Sequence, residues 1–167
     1  MAIETQIEIA AAPSRVREIV RNPFPFFSCR RLKHFKQLLD FSKYPQWHTS
    51  LIKLLEPEDN SKSFSSLQPG DKIKCNIDGM EFVADIMANT EKLFQWQGPL
   101  VYSLISGLHS FHFESANNDG SSTIFRQTEK FTGPIAFLMV PSLLGRKLLG
   151  QYNRFNRELK VYAEGSG

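Results

Sequence analysis

Apolar and polar residues alternate through Thr5-Gln6-Ile7-Glu8-Ile9, the period of a strand with one buried face. Ala10 to Pro13 break that pattern, and Ser14 to Val20 then read as a short helix. Arg21 to Phe27 is predicted as loop, because Pro23 and Pro25 remove backbone donors and push Asn22 and Phe24 out of the helical region. From Cys29 to Phe41, apolar residues at Leu32, Phe35, Leu38, Leu39 and Phe41 return at helical spacing until Pro45 ends them, which predicts a second helix. Ser50 to Glu56 reads as a strand, and Pro57 to Gly70 as a polar loop rich in Ser, Asp, Asn and Lys. Five short runs follow, Lys72 to Ile77, Glu81 to Ala88, Leu93 to Gln97, Leu108 to Ser115 and Thr123 to Phe131, which together predict an antiparallel meander. The last segment, Ile135 to Ala163, holds apolar residues at Leu148, Leu149, Tyr152, Phe155, Leu159 and Tyr162. That spacing predicts a long amphipathic helix, with Pro141 marking its first turn.

Length and composition narrow the class. A chain of 167 residues with 41% apolar side chains suffices for one domain with a substantial core. Its aromatic content lies mostly in phenylalanine, 14 against 4 Tyr and 2 Trp, which suits large ring-lined surfaces with few polar handles. The net charge of +3 is local: Arg21, Arg30, Arg31, Lys33 and Lys36 have no acid among them, and without them the remainder stands at −2. Such a short basic stretch, broken by prolines, is not the extended footprint that nucleic acid requires, so no nucleic-acid partner is expected. Cys29 and Cys75 form neither a disulfide framework nor a metal spacing, and a reducing, cytoplasmic setting fits them. The N-terminal segment lacks the pattern of a secretory signal, and no run approaches the roughly 18 apolar residues of a membrane span. No stable membrane insertion is therefore expected.

The hairpin from Leu108 to Phe131 can be read in register. Asn117-Asn118-Asp119-Gly120 is a strong turn signal. Pairing Phe113 with Phe125, Phe111 with Gln127 and His109 with Glu129 puts all six on one face, and leaves His112 opposite Arg126 and Glu114 opposite Ile124 on the other. A slip of one residue sets aromatics against charges on both faces, so this pairing is preferred. A carboxylate beside a histidine in an apolar cavity fixes the tautomer and raises the basicity of the ring, which is what enolising a carbonyl needs. His109 and Glu129 are thus candidate proton carriers; the alternative is a satisfied polar pair inside the sheet. Trp96, Tyr102, Phe111, Phe113, Phe125, Gln127 and Tyr152 are the candidate substrate-binding residues, with Asp78, Asp85, Gln95, Gln97 and Asn156 as further polar groups. Trp47 and Trp96 also fit structural roles, Trp96 alternating with Phe94 on a core face. Of the histidines at 34, 48, 109 and 112, only His109 and His112 are close enough to share a metal, and in a strand they face opposite ways. No metal site is expected, and no phosphate loop, nucleophile elbow or dinucleotide fingerprint is present.

Several stretches carry a family resemblance: I-x-I-x-A-A-P-S-x-V from Ile7, D-F-S-K-Y-P-Q-W-H at Asp40 to His48, L-Q-P-G-D at Leu67 to Asp71, G-L-H-S-F-H-F-E at Gly107 to Glu114, and F-R-Q-T-E-K-F-T-G-P at Phe125 to Pro134. In this wording and in its element order the chain resembles the START-like superfamily, and within it the branch of polyketide cyclases/dehydrases and lipid-transport proteins. The resemblance implies an α+β helix-grip fold, a curved antiparallel sheet of about six to seven strands around a long C-terminal helix, with two short helices after the first strand. One domain is expected over residues 1–164 with a tail at 165–167, and the chain departs from the family pattern in a basic, Phe- and Pro-containing insert at 21–39, which reads as an interaction or lid element or as a solvated loop of little function.

The resemblance also implies a small hydrophobic or aromatic ligand and no cofactor. One reading is a cyclase, dehydratase or isomerase of secondary metabolism with His109 and Glu129 as proton carriers. The other is a carrier that binds a lipid or hydrophobic metabolite without chemistry, since both use the same pocket. A third takes the basic insert with the apolar stretch Phe131 to Leu149 as a membrane-surface contact. The oligomeric state is left open.

Overall fold

Strand β1 (Ala2–Ile9) opens the chain, buries Ile3, Thr5 and Ile9, and hands over to helix α1 (Pro13–Arg21), whose first position is a proline with φ already set for a helix. The computed structural model describes residues 1–21 and 51–165. The expected second helix, most of the basic insert, and Cys29, His34, Trp47 and His48 lie outside those residues.

The meander expected from the alternation is present as β2 (Ile52–Pro57), β3 (Lys72–Ile77), β4 (Met80–Asn89), β5 (Leu93–Gln97), β6 (Ser106–Ser115) and β7 (Thr123–Thr132). Each pairs antiparallel with the next, and β1 adds to the far side of β7, giving a seven-stranded sheet in the order β1-β7-β6-β5-β4-β3-β2. Register shifts between Ile52 and Leu54 and between Ile86 and Ala88 interrupt the ladders of β2 and β4, the kind of irregularity that bends a sheet.

The β6–β7 register is the expected one: His109 pairs with Glu129, Phe111 with Gln127 and Phe113 with Phe125. Because side chains alternate between faces, three rows cross the concave side. Trp96, His109, Glu129 and Ile3 form one; Phe94, Phe111, Gln127 and Thr5 the next; Phe113, Phe125 and Ile7 the third.

Helix α2 (Gly145–Gly165) lies across these rows and buries Tyr152, Phe155, Asn156, Leu159 and Ala163, one stripe at three- and four-residue spacing. Phe155 stacks on Phe111 with ring centroids 5.6 Å apart and leans on Phe125 at 6.3 Å. Gln127 donates to Asn156 Oδ1 at 3.1 Å, and Asn156 donates to Thr5 Oγ1 at 3.0 Å, so this polar seam under the helix ties α2 to β7 and β1.

The long helix begins at Gly145, not at Pro141. Val140, constrained by the proline after it, is extended at φ −68 and ψ 148. The chain then turns, with Leu144 N–H on the Leu138 carbonyl and Gly145 N–H on the Val140 carbonyl. A Cβ at position 145 would come 2.3 Å from the Met139 carbonyl oxygen, so only glycine allows this close entry into the helix. Among the described residues no helix is long and apolar enough to cross a membrane.

Candidate functional site

Two of the three inner rows are filled by rings under α2, but the space beyond the Trp96–His109–Glu129 row is not. There the strands carry Gly98 and Gly107, with Gly98 N–H bonded to the Gly107 carbonyl, and no side chain from either enters the interior. The result is a cavity of about 420 Å³. Ile52, Ile77, Phe82, Trp96, Ile105 and Phe131 supply sheet walls, and Met139, Leu148 and Tyr152 close it from the helix side. Its volume falls in the range of small-molecule sites.

A polar cluster sits at the floor. His109 Nδ1 makes a very short contact with Glu129 Oε2, and Tyr152 donates its phenol proton to the same oxygen at 2.9 Å. The phenol oxygen lies 3.2 Å from Nδ1. Nδ1 faces a carboxylate, so it carries a proton and donates it to Oε2. His109 and Glu129 are 5% and 8% exposed. Trp96 stacks over the imidazole at 4.4 Å, and Phe111 and Tyr152 meet it edge-on. Burial, reinforced by the Glu129 charge, holds the Tyr152 phenol well above its usual pKa, so it remains a neutral donor.

The two reactive atoms are placed differently. His109 Nε2 is buried and without a hydrogen-bond partner among the described residues. Glu129 Oε1 makes no hydrogen bond among the described residues and lies over the bare backbone of Gly107, where a Cβ would be only 1.9 Å away. The carboxylate is held by one oxygen and leaves the other beside the cavity.

At the mouth, Lys147 of α2 reaches Asp78 in the β3–β4 turn at 2.7 Å. Hydrogen bonds from Lys147 and then Gln151 hold the Asp78 carboxyl below its ordinary pKa. Both partners are largely exposed, so the pair contributes little to stability.

Of the residues singled out from the sequence, the structure brings His109, Glu129, Trp96, Tyr152 and Asp78 to the cavity. Phe111, Phe113, Phe125 and Gln127 share the predicted face but not the cavity, because Phe155 and Asn156 of α2 cover their rows. Tyr102 is 90% exposed: it and Ser103 occupy a turn at φ 48 and 58, which aims the ring into solvent. Asp85 pairs with Lys72, Gln95 bonds Ser110 and Gln97 bonds Ser106, all on the convex face. Asn156 is buried in the seam already described. Sequence reasoning missed Gly98 and Gly107, whose contribution is an absent side chain; the available signal was glycine inside or beside strands. It also missed Phe82, Val101 and Gln151. Among the described residues no three His, Cys, Asp or Glu side chains are grouped to hold a metal ion.

No family model and no curated protein matches the sequence. Solved structures do match its fold. A START superfamily protein from Mycobacterium smegmatis is 16% identical with a TM-score of 0.62, covering 99% of this chain and 99% of that one. Norcoclaurine synthase from Thalictrum flavum, in complex with dopamine and hydroxybenzaldehyde, is 10% identical with a TM-score of 0.59 over 97% of this chain and 85% of that one. Ara h 8.0201 is 10% identical with a TM-score of 0.60 over 98% and 97%. At these identities the likeness is one of fold, and it is the helix-grip fold that the sequence pattern implied.

Proposed function

We propose that the protein binds a small apolar carbonyl compound in its cavity and moves protons on it without a cofactor, as a cyclase, dehydratase or isomerase of secondary metabolism. The observation that carries this reading is the Glu129 carboxylate, fixed through Oε2 by His109 and Tyr152 while Oε1, with no hydrogen bond among the described residues, stands beside an apolar cavity. A carboxylate oriented through one oxygen and open to a ligand through the other is placed as a general base has to be.

In this reading the ligand's carbonyl carbon lies over Gly107 and Oε1 accepts a proton from the adjacent carbon, giving an enolate. The enolate is reprotonated at another position, which is isomerisation, or attacks a second carbonyl of the same molecule to close a ring that then loses water. As Oε1 takes the proton, the negative charge passes from the Glu129 carboxylate to the enolate oxygen, while His109 and Tyr152, a neutral donor whose pKa is held well above its usual value, keep the carboxyl group in place. Trp96 and Phe82 offer flat apolar contact, which suits an aromatic or polyketide-like skeleton. Norcoclaurine synthase, whose fold this chain shares, is solved with an aromatic aldehyde and an aromatic amine, and that lends support to a ring-bearing carbonyl ligand here.

Deuterium exchange tests the reading without the natural substrate. β-Tetralone, an enolisable aromatic ketone, is incubated with the protein in D2O and its α-protons are followed by NMR. Exchange above the buffer rate is expected, with Glu129→Gln and His109→Ala each lowering the excess about 10²-fold or more. Exchange unaffected by both substitutions removes them from the chemistry.

A further inference from the structure

The outer edge of the cavity has a surface unlike the rest of the molecule. Two segments form it, residues 98–105 between β5 and β6 and residues 133–144 between β7 and α2, and neither contains a charged residue. They touch: Ile135 N–H bonds the Leu104 carbonyl, and a Cβ at Gly133 would strike that same carbonyl at 2.3 Å. Val101, Ile105 and Met139 point into the cavity. Their neighbours Leu100, Tyr102, Leu104, Phe137, Leu143 and Leu144 are between 42% and 90% exposed. A contiguous exposed apolar rim of this kind marks an interaction surface.

Two further features indicate what covers it. Tyr102 and Ser103 are both left-handed without being glycine, at φ 48 and 58, and this costly turn holds an aromatic ring at the tip of the rim. Arg146 and Lys147 follow the rim directly, in the first turn of α2, where the helix dipole disfavours cations and where no acidic residue is present. Lys147 is answered by Asp78, whereas Arg146 has no ion pair among the described residues. Apolar side chains with an aromatic tip, bordered at a positive helix end by one cation, Arg146, that has no ion pair among the described residues, match the interface of an anionic lipid bilayer.

We infer that this rim docks reversibly on an anionic membrane surface, so that an apolar ligand passes between bilayer and cavity without crossing water. Charge complementarity favours lipid over a second copy of the chain, whose identical rim would bring Arg146 against Arg146 or its neighbours.

Co-sedimentation with extruded vesicles tests it, using phosphatidylcholine alone and phosphatidylcholine containing phosphatidylserine. Binding is expected to be stronger to the mixed vesicles and to fall with added salt. Tyr102→Ser, Phe137→Ser and Leu143→Ser combined should weaken it at least about 10-fold, since three exposed apolar side chains no longer enter the interface. Arg146→Glu should weaken binding to the mixed vesicles only. Val161→Ser, which removes an apolar side chain 73% exposed on the distal part of α2, should change nothing. Thermal unfolding of each variant, expected to match the wild type, separates lost docking from lost folding. Wild-type protein that ignores both vesicle types, or a triple variant that binds as well as wild type, overturns the inference. So does self-association in light scattering that the triple substitution abolishes while no vesicle binding occurs. The readout is independent of turnover, so its failure leaves the proton-transfer proposal to be judged by its own assay.

Discussion

Replacing Gly107 with alanine adds one carbon to the cavity floor, at a point 1.9 Å from Glu129 Oε1, 3.1 Å from Glu129 Cδ and 3.7 Å from Phe131 Cε1. The backbone at 107 is not among the left-handed positions, so alanine meets no conformational obstacle there. It even stabilises through the unfolded chain, by about 0.4–1 kcal/mol. The opposing effect is local overpacking, about 1–3 kcal/mol, because the carboxylate cannot stay where it is. Glu129 has to rotate, and it gives up its contacts with His109 and Tyr152 when it does. With the Tyr152 hydrogen bond to Glu129 lost as well, about 1.5–3 kcal/mol, the net cost is about 2–5 kcal/mol, below most of the 5–15 kcal/mol range typical of a domain, so the variant folds. For a domain of this size it corresponds to a melting point lower by about 4–20 °C. The chemical effect is larger, since a displaced carboxylate no longer faces the ligand, and ketone exchange should drop about 10²-fold. Adding Glu129→Asp, whose shorter side chain draws back from the new methyl, should recover part of the melting point in a non-additive cycle. Scanning calorimetry and the exchange assay read both effects. A Gly107→Ala protein with wild-type melting and wild-type exchange refutes the placement of Glu129 and the role built on it.

Tyr152→Phe keeps the ring but removes the donor to Glu129 Oε2, and should cost about 1.5–3 kcal/mol in urea denaturation; a loss below about 0.5 kcal/mol contradicts the hydrogen bond. Phe155→Ala opens a void between α2 and the Phe111 and Phe125 rings and should cost about 3–5 kcal/mol, read as a shift in the urea midpoint at constant slope. Burial pushes the Cys75 thiol up to about 12, so in a Cys29→Ser background a disulfide reagent at pH 8 should modify it only as fast as the protein unfolds. Immediate reaction contradicts its burial. The Asp78 carboxyl is depressed in the folded state, so its contribution is present above the unfolded value near 4 and is lost as pH falls through the lower folded value. Because the pair is exposed, Asp78→Asn should change stability by under about 1 kcal/mol at pH 7 and not at all near pH 2, measured by thermal melts across that range.

How much of this was legible in the chain depends on whether a side chain or its absence carried the information. The β6–β7 register was readable because Phe111, Phe113, Phe125 and Glu129 punish a slip of one residue, and the His109–Glu129 couple came with it. Alternation identifies a face but not which part of it stays open, so Phe111, Phe113, Phe125 and Gln127 read as cavity wall when α2 in fact seals them. That division depends on the start of α2 at Gly145 and on the glycines at 98 and 107, none of which registers in a hydrophobic pattern. Tyr102 was misplaced for a related reason. A tight turn built from Tyr and Ser lacks the Asn-Gly wording that signals left-handed backbone, so its outward ring looked like part of a wall.

Under the proposed function the cavity holds a small apolar carbonyl compound, and Glu129 and His109 change it. Native mass spectrometry of the protein, after incubation with a mixture of aromatic ketones and poly-β-carbonyl compounds, tests both halves in one spectrum series. One bound molecule per chain is expected, with an isomer or a species lighter by one water accumulating for wild type and not for Glu129→Gln. A chain that retains no added compound contradicts the cavity's role, and one that returns every bound compound unchanged contradicts the chemistry.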